Sequence, residues 1–257
     1  MKPLLQAFAF GATLCTALPA VAEAPLVAAA SDLTFALDDI AAAYADTTGE
    51  SVRVTYGSTG NFTRQIREGA PFDIFMAADE SYIATLAQDG LTQDDGDLYA
   101  RGRVVIVVPK GSSLAAEGSL DDLAAALAEG RLTRFAIANP EHAPYGQRAR
   151  QALEHKGLLA DITPHLVYGE NVSQAAHFAL SGNTQGGIIA YSLALAPDLA
   201  KRAEFALIPE DWHAPLLQRM VLLKTATPEA EAFYAYLQSP AAREIFERYG
   251  FTLPEEE

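Results

Sequence analysis

Short apolar runs alternate with helical patterns along most of the chain. The run "LVAAA" (26–30) predicts a strand. The apolar residues that follow it recur at the spacing of one helix face: Leu33, Leu37, Ile40, Ala41 and Tyr44. The same order of strand and helix returns at "VRVTY" (52–56) and "FDIFMA" (72–77). Strands that alternate with helices predict an α/β fold with largely parallel sheets.

The alternation restarts in the second half of the chain. Apolar runs again predict strands there, each ahead of a helical pattern: "GRVVIVVPKG" (102–111), "RFAIA" (134–138), "HLVYG" (165–169), "GGIIAY" (186–191) and "RMVLLK" (219–224). The recurrence favours two lobes, with the chain crossing between them near residues 103–108 and again near residues 210–218. The predicted lobes are therefore residues 25–103 together with 216–257, and residues 104–215.

Residues 1–24 have the pattern of a secretory signal peptide. Met1 and Lys2 provide a positive start, an apolar stretch follows, and an Ala-Val-Ala triplet suits cleavage. The apolar stretch is too short for a stable membrane span. Cys15, the only cysteine, falls inside this segment, so the exported protein has no thiol for disulfides, catalysis or metal ligation. We expect cleavage near residues 22–24 and a periplasmic product.

The overall charge excludes some classes of partner. The 257 residues carry a formal net charge of −15. An acidic protein lacks the basic face that nucleic acids and anionic membranes bind, so neither is an expected partner. A small anion is still compatible, because its binding depends on local dipoles and donors and not on the overall charge.

Small polar residues stand where two predicted helices begin. Ser31 follows the first strand, and Ser58 and Thr59 follow the second in "YGSTGNFTRQI" (56–66). The first turn of a helix has four backbone N–H groups without a partner in the helix, and the helix dipole adds roughly half a positive charge there. Such a helix end binds an oxyanion without a basic side chain. From these residues alone, an anion site and ordinary helix capping both remain open.

Several segments resemble the periplasmic molybdate-binding proteins of ABC importers, in order and at similar spacing. They are "AAASDLTFALDDIA", "YGSTGNFTRQIREGAPFDIFMAAD", "NPEHAPYGQRARQAL", "GENVSQAAHFAL" and "GIIAYS", and the C-terminal "AFYAYLQSPAAREIFERYGF" resembles the end of that family. The resemblance implies a two-lobed periplasmic-binding-protein fold of type II, in which each lobe is a mixed sheet flanked by helices and the ligand lies in the cleft between them. It implies a monomer that captures molybdate or tungstate, needs no cofactor, and delivers its ligand to the membrane permease of an ABC importer.

The resemblance also implies which residues hold the anion. Matched by motif, the ligand-binding residues are Ser31, Ser58, Thr59, Tyr145, Val172 and Tyr191. The serine and threonine residues supply hydroxyl and amide groups, Tyr145 and Val172 supply backbone amides, and Tyr191 supplies its phenol. All of them contact oxygens of the anion, so the site has no direct metal-ion ligand. A site made only of donors disfavours protonated phosphate, whose own O–H group needs an acceptor.

Two positions depart from the pattern of that family. Asp32 follows Ser31 directly, and its carboxylate would repel a dianion if it faced the cleft. We expect Asp32 to point away from the cleft or to pair with a cation. Tyr145 stands where a small residue is common, and its ring is expected to narrow or cover the pocket, which leaves the identity of the ligand open.

Other functions have weaker support in the sequence. Ser58 lacks the G-x-S-x-G elbow of serine hydrolases, and the five histidines form no i,i+4 pair or HExxH motif, so we do not expect an enzyme. A metal-transport protein would need histidines and carboxylates that converge from both lobes, and apart from Asp32 none lies in the junction motifs. Another tetrahedral oxyanion, such as sulfate, thiosulfate or a protonated anion, is the alternative ligand.

Overall fold

The structure, a computed structural model, describes residues 24–253 and consists of two lobes, each built on a five-stranded sheet. The predicted signal peptide with Cys15 lies outside the described residues, apart from Ala24. Among residues 24–253, no helix combines the length and the apolar character that a membrane crossing requires.

Ten strands and eleven α-helices are found in the described residues. The strands are β1 (Leu26–Ala30), β2 (Arg53–Gly57), β3 (Ile74–Ala77), β4 (Asp97–Gly102), β5 (Val104–Pro109), β6 (Phe135–Ala138), β7 (Leu166–Gly169), β8 (Gly187–Ala190), β9 (Ala203–Leu207) and β10 (Leu216–Leu222). The helices are α1 (Thr34–Thr48), α2 (Thr59–Arg67), α3 (Glu80–Gln88), α4 (Asp121–Ala128), α5 (Pro144–His155), α6 (Leu159–Ile162), α7 (Val172–Ala179), α8 (Tyr191–Ala194), α9 (Pro197–Ala200), α10 (Pro228–Leu237) and α11 (Pro240–Arg248). Short 3-10 helices occur at Ser31–Leu33, Thr163–His165 and Glu210–Trp212.

The two sheets have the same topology. The strand order is β2-β1-β3-β10-β4 in the first and β7-β6-β8-β5-β9 in the second. In each sheet, three parallel strands lie beside an antiparallel strand that the chain enters after crossing from the other lobe. A further antiparallel strand forms the edge. The predicted two-lobed α/β fold with mixed sheets is confirmed, and parallel pairing is limited to three strands in each sheet.

The chain crosses between the lobes at two adjacent places. The outward crossing is at Arg103, between β4 and β5. The return crossing passes through the 3-10 helix Glu210–Trp212 and leads into β10. The Glu210 carboxylate forms ion pairs with Arg101 and Arg103 at N–O distances of 3.1 and 3.2 Å, so it joins the two crossings. The exact end points of the two lobes stay a prediction.

Two strands have no counterpart in the sequence prediction. Strands β4 ("DLYARG") and β9 ("AEFAL") carry polar residues and form the antiparallel edges of the sheets. An edge strand of this kind lacks the continuous apolar run that indicates a strand buried on both faces. The run at 102–111 also differs from its prediction as one strand, because β4 ends at Gly102 and β5 begins at Val104.

The C-terminal helices complete the core of the first lobe. Helices α10 and α11 pack beside α1, where Tyr44, Phe233 and Phe246 are buried in one apolar cluster. The rings of Tyr44 and Phe233 meet edge to face, with their centroids 5.1 Å apart. The last part of the chain therefore stabilises the lobe that the first part begins.

We expect Phe233→Ala to lower the free energy of unfolding by about 3–5 kcal/mol, because it removes a fully buried ring and leaves a cavity beside Tyr44. Urea unfolding followed by circular dichroism measures the change. The matched control is Phe35→Ala, which truncates a ring that is 40% exposed. That control is expected to cost about 0.5 kcal/mol or less. Equal losses in both variants would contradict the assigned core.

Candidate anion-binding site

Four helices begin around one cavity between the lobes. The first lobe contributes α1, which the 3-10 helix Ser31–Leu33 precedes, and α2, which Ser58 caps. The second lobe contributes α5, which begins at Pro144, and α7, which begins at Val172. Each of these helices comes after a parallel strand, and the carboxyl ends of such strands are where open α/β sheets bind ligands.

The cavity is lined by residues from both lobes: Ala30, Ser31, Asp32, Gly57, Ser58, Thr59, Ala78, Ala143, Pro144, Tyr145 and Val172. In this closed form the interior of the cavity has room for about one water molecule. None of these lining residues is a lysine, arginine or histidine, so positive potential comes from helix amides and dipoles. Within residues 24–253, no group of three or more His, Cys, Asp or Glu is placed to hold a metal ion. The cavity suits an anion held by neutral donors.

Two hydroxyl groups in the cavity wall are oriented by backbone amides. Ser31 Oγ accepts a hydrogen bond from the amide of Ser173 at 3.2 Å, across the lobe interface. Thr59 Oγ1 accepts a hydrogen bond from the amide of Ala78 at 3.1 Å. A hydroxyl oxygen that accepts an N–H group still has its own proton to donate. Both hydroxyls are therefore available as donors to a guest in the cavity.

Ser58 has a second role at the same interface. Its Oγ accepts the amide of Asn61 at 3.4 Å, which is the capping bond of α2, and lies 3.0 Å from His142 Nδ1 of the other lobe. The tautomer of the imidazole decides whether the Ser58 hydroxyl donates to His142 or stays free for the cavity. Ordinary helix capping therefore explains part of this motif.

The structure brings together five of the six predicted ligand-binding residues. The five that line the cavity are Ser31, Ser58, Thr59, Tyr145 and Val172. Tyr191 is not among the lining residues: its ring packs edge to face against Phe205, and the Arg103 guanidinium lies 5.5 Å from the ring centroid. The predicted contact between the Tyr191 phenol and the anion stays a prediction.

The environment of Asp32 corrects the expectation for this residue. Asp32 is 1% exposed, lines the cavity, and forms no ion pair with any described residue. Its Oδ2 accepts hydrogen bonds from Tyr145 Oη at 3.0 Å and from Gln218 Nε2 at 2.7 Å. Its backbone carbonyl accepts the Ser192 hydroxyl at 2.7 Å. Asp32 therefore joins the lobes through neutral donors, and the site is not made of donors only.

Burial is the main cause of the pKa shifts of Asp32, Tyr145 and Tyr99. Loss of water raises the pKa of the Asp32 carboxyl to about 6, and the hydrogen bonds from Gln218 and Tyr145 oppose part of that rise. Burial also raises the pKa of Tyr145 well above its usual range, and the nearby charge of Asp32 adds to the rise. The pKa of Tyr99 is raised for the same two reasons, and its hydroxyl donates to Gln218 Oε1 at 2.8 Å. Both phenols stay neutral, so Asp32 is the group of this cluster that titrates near neutral pH.

Further contacts cross the interface and hold the lobes closed. The amide of Gly60, in the first turn of α2, donates to the carbonyl of His142 at 2.9 Å. Arg148 of α5 is 6% exposed and forms an ion pair with Asp79, the N-cap of α3, at 2.5 Å. Separating the lobes would break these bonds, so the structure describes the closed form.

Sequence reasoning missed three residues that complete the site. His142 meets Ser58 from 84 residues away, while Ser192 and Gln218 meet Asp32 from 160 and 186 residues away. His142 and Ser192 lie within the quoted motifs, which is the one signal that the sequence offered for them. Gln218 lies just before the apolar run of its strand, and no pattern distinguishes it.

We expect Gly60→Ala to weaken the binding of an anion in the cavity without unfolding the protein. A Cβ at position 60 would lie 2.7 Å from the carbonyl oxygen of His142, which obstructs closure, although alanine itself suits a helix. Calorimetry is expected to show roughly a tenfold or greater loss of affinity. Gln65→Ala, on the exposed face of the same helix, is the control and should bind like the parent. Unchanged affinity in Gly60→Ala would show that binding does not need this close approach.

Comparisons with known proteins agree with this geometry. The family described as bacterial extracellular solute-binding protein matches residues 25–252 of the chain. The molybdate-binding protein ModA of Rhodobacter capsulatus is 34% identical over 238 residues, which are 91% of this chain and 90% of that protein. The molybdate-binding protein ModA of Azotobacter vinelandii is 34% identical over 256 residues, which are 98% of each chain.

Solved structures show the same fold. The periplasmic molybdate-binding protein of Azotobacter vinelandii superposes with a TM-score of 0.80 and 29% identity, covering 90% of this chain and 100% of that one. The sulfate-binding protein SubI of Mycobacterium tuberculosis, at 19% identity and a TM-score of 0.72, shares the fold alone and covers 90% of this chain and 86% of that one. The resemblance to periplasmic molybdate-binding proteins that the sequence motifs indicated is confirmed. The chain belongs to the bacterial extracellular solute-binding protein family.

Proposed function

We propose that the protein captures molybdate, or tungstate, in the periplasm and delivers it to an ABC importer. Support comes from the two relatives at 34% identity, both of which are molybdate-binding proteins, and from a family that is extracellular. The protein acts as a monomer without a cofactor, and its role is binding and not catalysis. The membrane permease of the importer recognises the closed, loaded form.

The observation that supports this proposal most directly is a set of neutral donors from both lobes around one cavity. Ser31 and Thr59 each have a hydroxyl oxygen engaged by a backbone amide, which leaves the O–H group for a guest. The second lobe adds the first-turn amides of α5 and α7, at Tyr145 and Val172. A tetrahedral oxyanion has oxygens in four directions, so it accepts hydrogen bonds from both lobes at once.

Hydrogen bonds from neutral donors are enough to replace the hydration that a dianion loses on binding. A hydrogen bond to a charged group contributes roughly 1.5–3 kcal/mol. A helix N-terminus adds up to about 2 kcal/mol in partly buried geometry. Several donors of this kind offset the dehydration, and no basic side chain is needed.

Ligand binding is coupled to lobe closure through the same helix ends. Without a guest, closure brings the positive ends of several helix dipoles together, which favours the open form. A bound anion reverses that repulsion and allows the bond between the Gly60 amide and the His142 carbonyl to form. Hinge motion at the two crossings is the conformational change that this requires.

One observation favours the alternative class of ligand. Asp32 lines the cavity, and a carboxylate accepts the O–H group of a protonated anion. The second candidate is therefore another tetrahedral oxyanion, with hydrogenphosphate favoured by Asp32 over sulfate and thiosulfate. The ligand comparison that follows includes phosphate for this reason.

Molybdate at about 100 times its dissociation constant is expected to raise the melting temperature by roughly 5–10 °C, because a ligand of the folded form stabilises it by about 2.7 kcal/mol at that excess. Tungstate has the same charge and shape, so a similar rise is expected. Sulfate and phosphate at the same concentration should leave the melting temperature nearly unchanged. Differential scanning fluorimetry measures all four shifts, and a larger shift with sulfate or phosphate would make that anion the ligand instead.

Ser31→Ala and Thr59→Ala are each expected to weaken molybdate binding by roughly 10- to 100-fold, the effect of losing one hydrogen bond to a charged group. Calorimetry measures the affinities, and melting curves without ligand verify that each variant folds. The matched control is Thr59→Ser, which keeps the hydroxyl and should keep most of the affinity. Ser113→Ala, at an exposed position of the second lobe, should bind like the parent. Equal affinity in the parent and both alanine variants would count against the assigned site.

A further inference from the structure

The cavity holds one acidic group that the proposed function does not use. Asp32 lines the cavity and is 1% exposed. Its Oδ2 is engaged by Tyr145 and Gln218, whereas its Oδ1 is buried and has no hydrogen-bond partner among the described residues. The carboxyl of this lining residue therefore has one oxygen without a hydrogen-bond partner among the described residues.

A dianion and a carboxylate are incompatible in this cavity unless a proton joins them. Both are negative and both are removed from water, and no described cation pairs with Asp32 to separate the charges. A protonated Asp32 would instead donate from Oδ1 to the guest, like the neighbouring hydroxyls. A hydrogen-bearing guest would donate to the carboxylate. Either arrangement contains one proton more than the free carboxylate and the free dianion.

We infer that the anion is bound together with one proton, shared between Asp32 and the guest, so that Asp32 determines the protonation state of the bound complex. The inference rests on the proposed oxyanion site. The proton comes from the solvent and bonds to Asp32 Oδ1 or to an oxygen of the guest, and no other bond is made or broken.

Other titratable groups near Asp32 are engaged elsewhere or stay neutral. Tyr145 of α5 and Tyr99 of β4 are buried phenols that remain protonated. Three elements that pack against the 3-10 helix of Asp32 also carry titratable side chains, and each of these has another partner or is exposed. Asp38 of α1 is hydrogen-bonded to Tyr56 of β2, His177 of α7 is exposed, and Tyr191 of α8 lies beneath Arg103.

His142 is the histidine that lies next to the cavity. Its Nδ1 lies 3.0 Å from Ser58 Oγ, and its Nε2 lies 3.6 Å from the Glu170 carboxylate. His142 is not among the residues that line the cavity, and Glu170 already offers it a negative partner. A direct test must still separate His142 from Asp32.

The direction of the Asp32 titration agrees with proton uptake. Burial raises the pKa of this carboxyl to about 6 in the closed form, and a dianion beside it raises the pKa further. Above pH 6 the free protein holds a carboxylate, so binding must take up a proton. Affinity should therefore fall about tenfold for each pH unit above neutrality, and it should level off where the carboxyl of the free protein is already protonated.

Calorimetry of molybdate binding in two buffers of different ionisation enthalpy counts the protons taken up. At pH 7.5 we expect about one proton per molybdate in the parent protein. Asp32→Asn keeps the shape without the charge, and it should take up about none and bind with little pH dependence. At pH 8 this variant should bind roughly tenfold or more tightly than the parent. His142→Gln should still take up about one proton.

The outcomes separate this inference from the proposed function. Molybdate binding by the parent without proton uptake would overturn the role of Asp32 and leave the oxyanion site intact. The same uptake in Asp32→Asn, or its loss in His142→Gln alone, would assign the proton to another group and also overturn it. If the asparagine variant does not fold, the proton counts of the parent and of His142→Gln decide. No binding of molybdate, tungstate, sulfate or phosphate would overturn the proposed function together with this inference.

Discussion

A buried carboxyl group with neutral partners holds the two lobes together. Asp32 belongs to the first lobe, Tyr145 and Ser192 reach it from the second, and Gln218 reaches it from the strand that returns between them. A polar group in such a dry place is costly unless it is paired, so these bonds require a closed cleft. The cavity between the helix ends forms in the same step. Closure and site assembly are therefore one event.

The same carboxyl opposes the guest that the rest of the cavity attracts. Helix dipoles and the hydroxyls of Ser31 and Thr59 favour an anion, while Asp32 adds a negative charge next to them. In the proposed complex, the balance between them depends on the protonation of this side chain. Affinity at such a site is therefore a property of the whole closed cluster, and a count of donors does not predict it.

The repeated topology explains how the donors come to face each other. Both sheets have three parallel strands followed by helices, and each has an antiparallel strand next to the crossing. Two sheets of the same design, joined side by side, present the carboxyl ends of their parallel strands to one cleft. Glu210 forms ion pairs with Arg101 and Arg103, so the two crossings lie side by side.

Local pattern by itself determined the α/β class and the strand–helix junctions at Ser31 and Thr59, because strands, helix starts and caps depend on residues that are near in sequence. The family resemblance, also present in the sequence, added Tyr145 and Val172. Strands β4 and β9 were missed because polar edge strands lack an apolar run. Only the tertiary structure decided the partners of Asp32, which lie up to 186 residues away, and the position of the Tyr191 ring beside the hinge. Such contacts exist only once the lobes meet, and no spacing along the chain records which residues will then be neighbours.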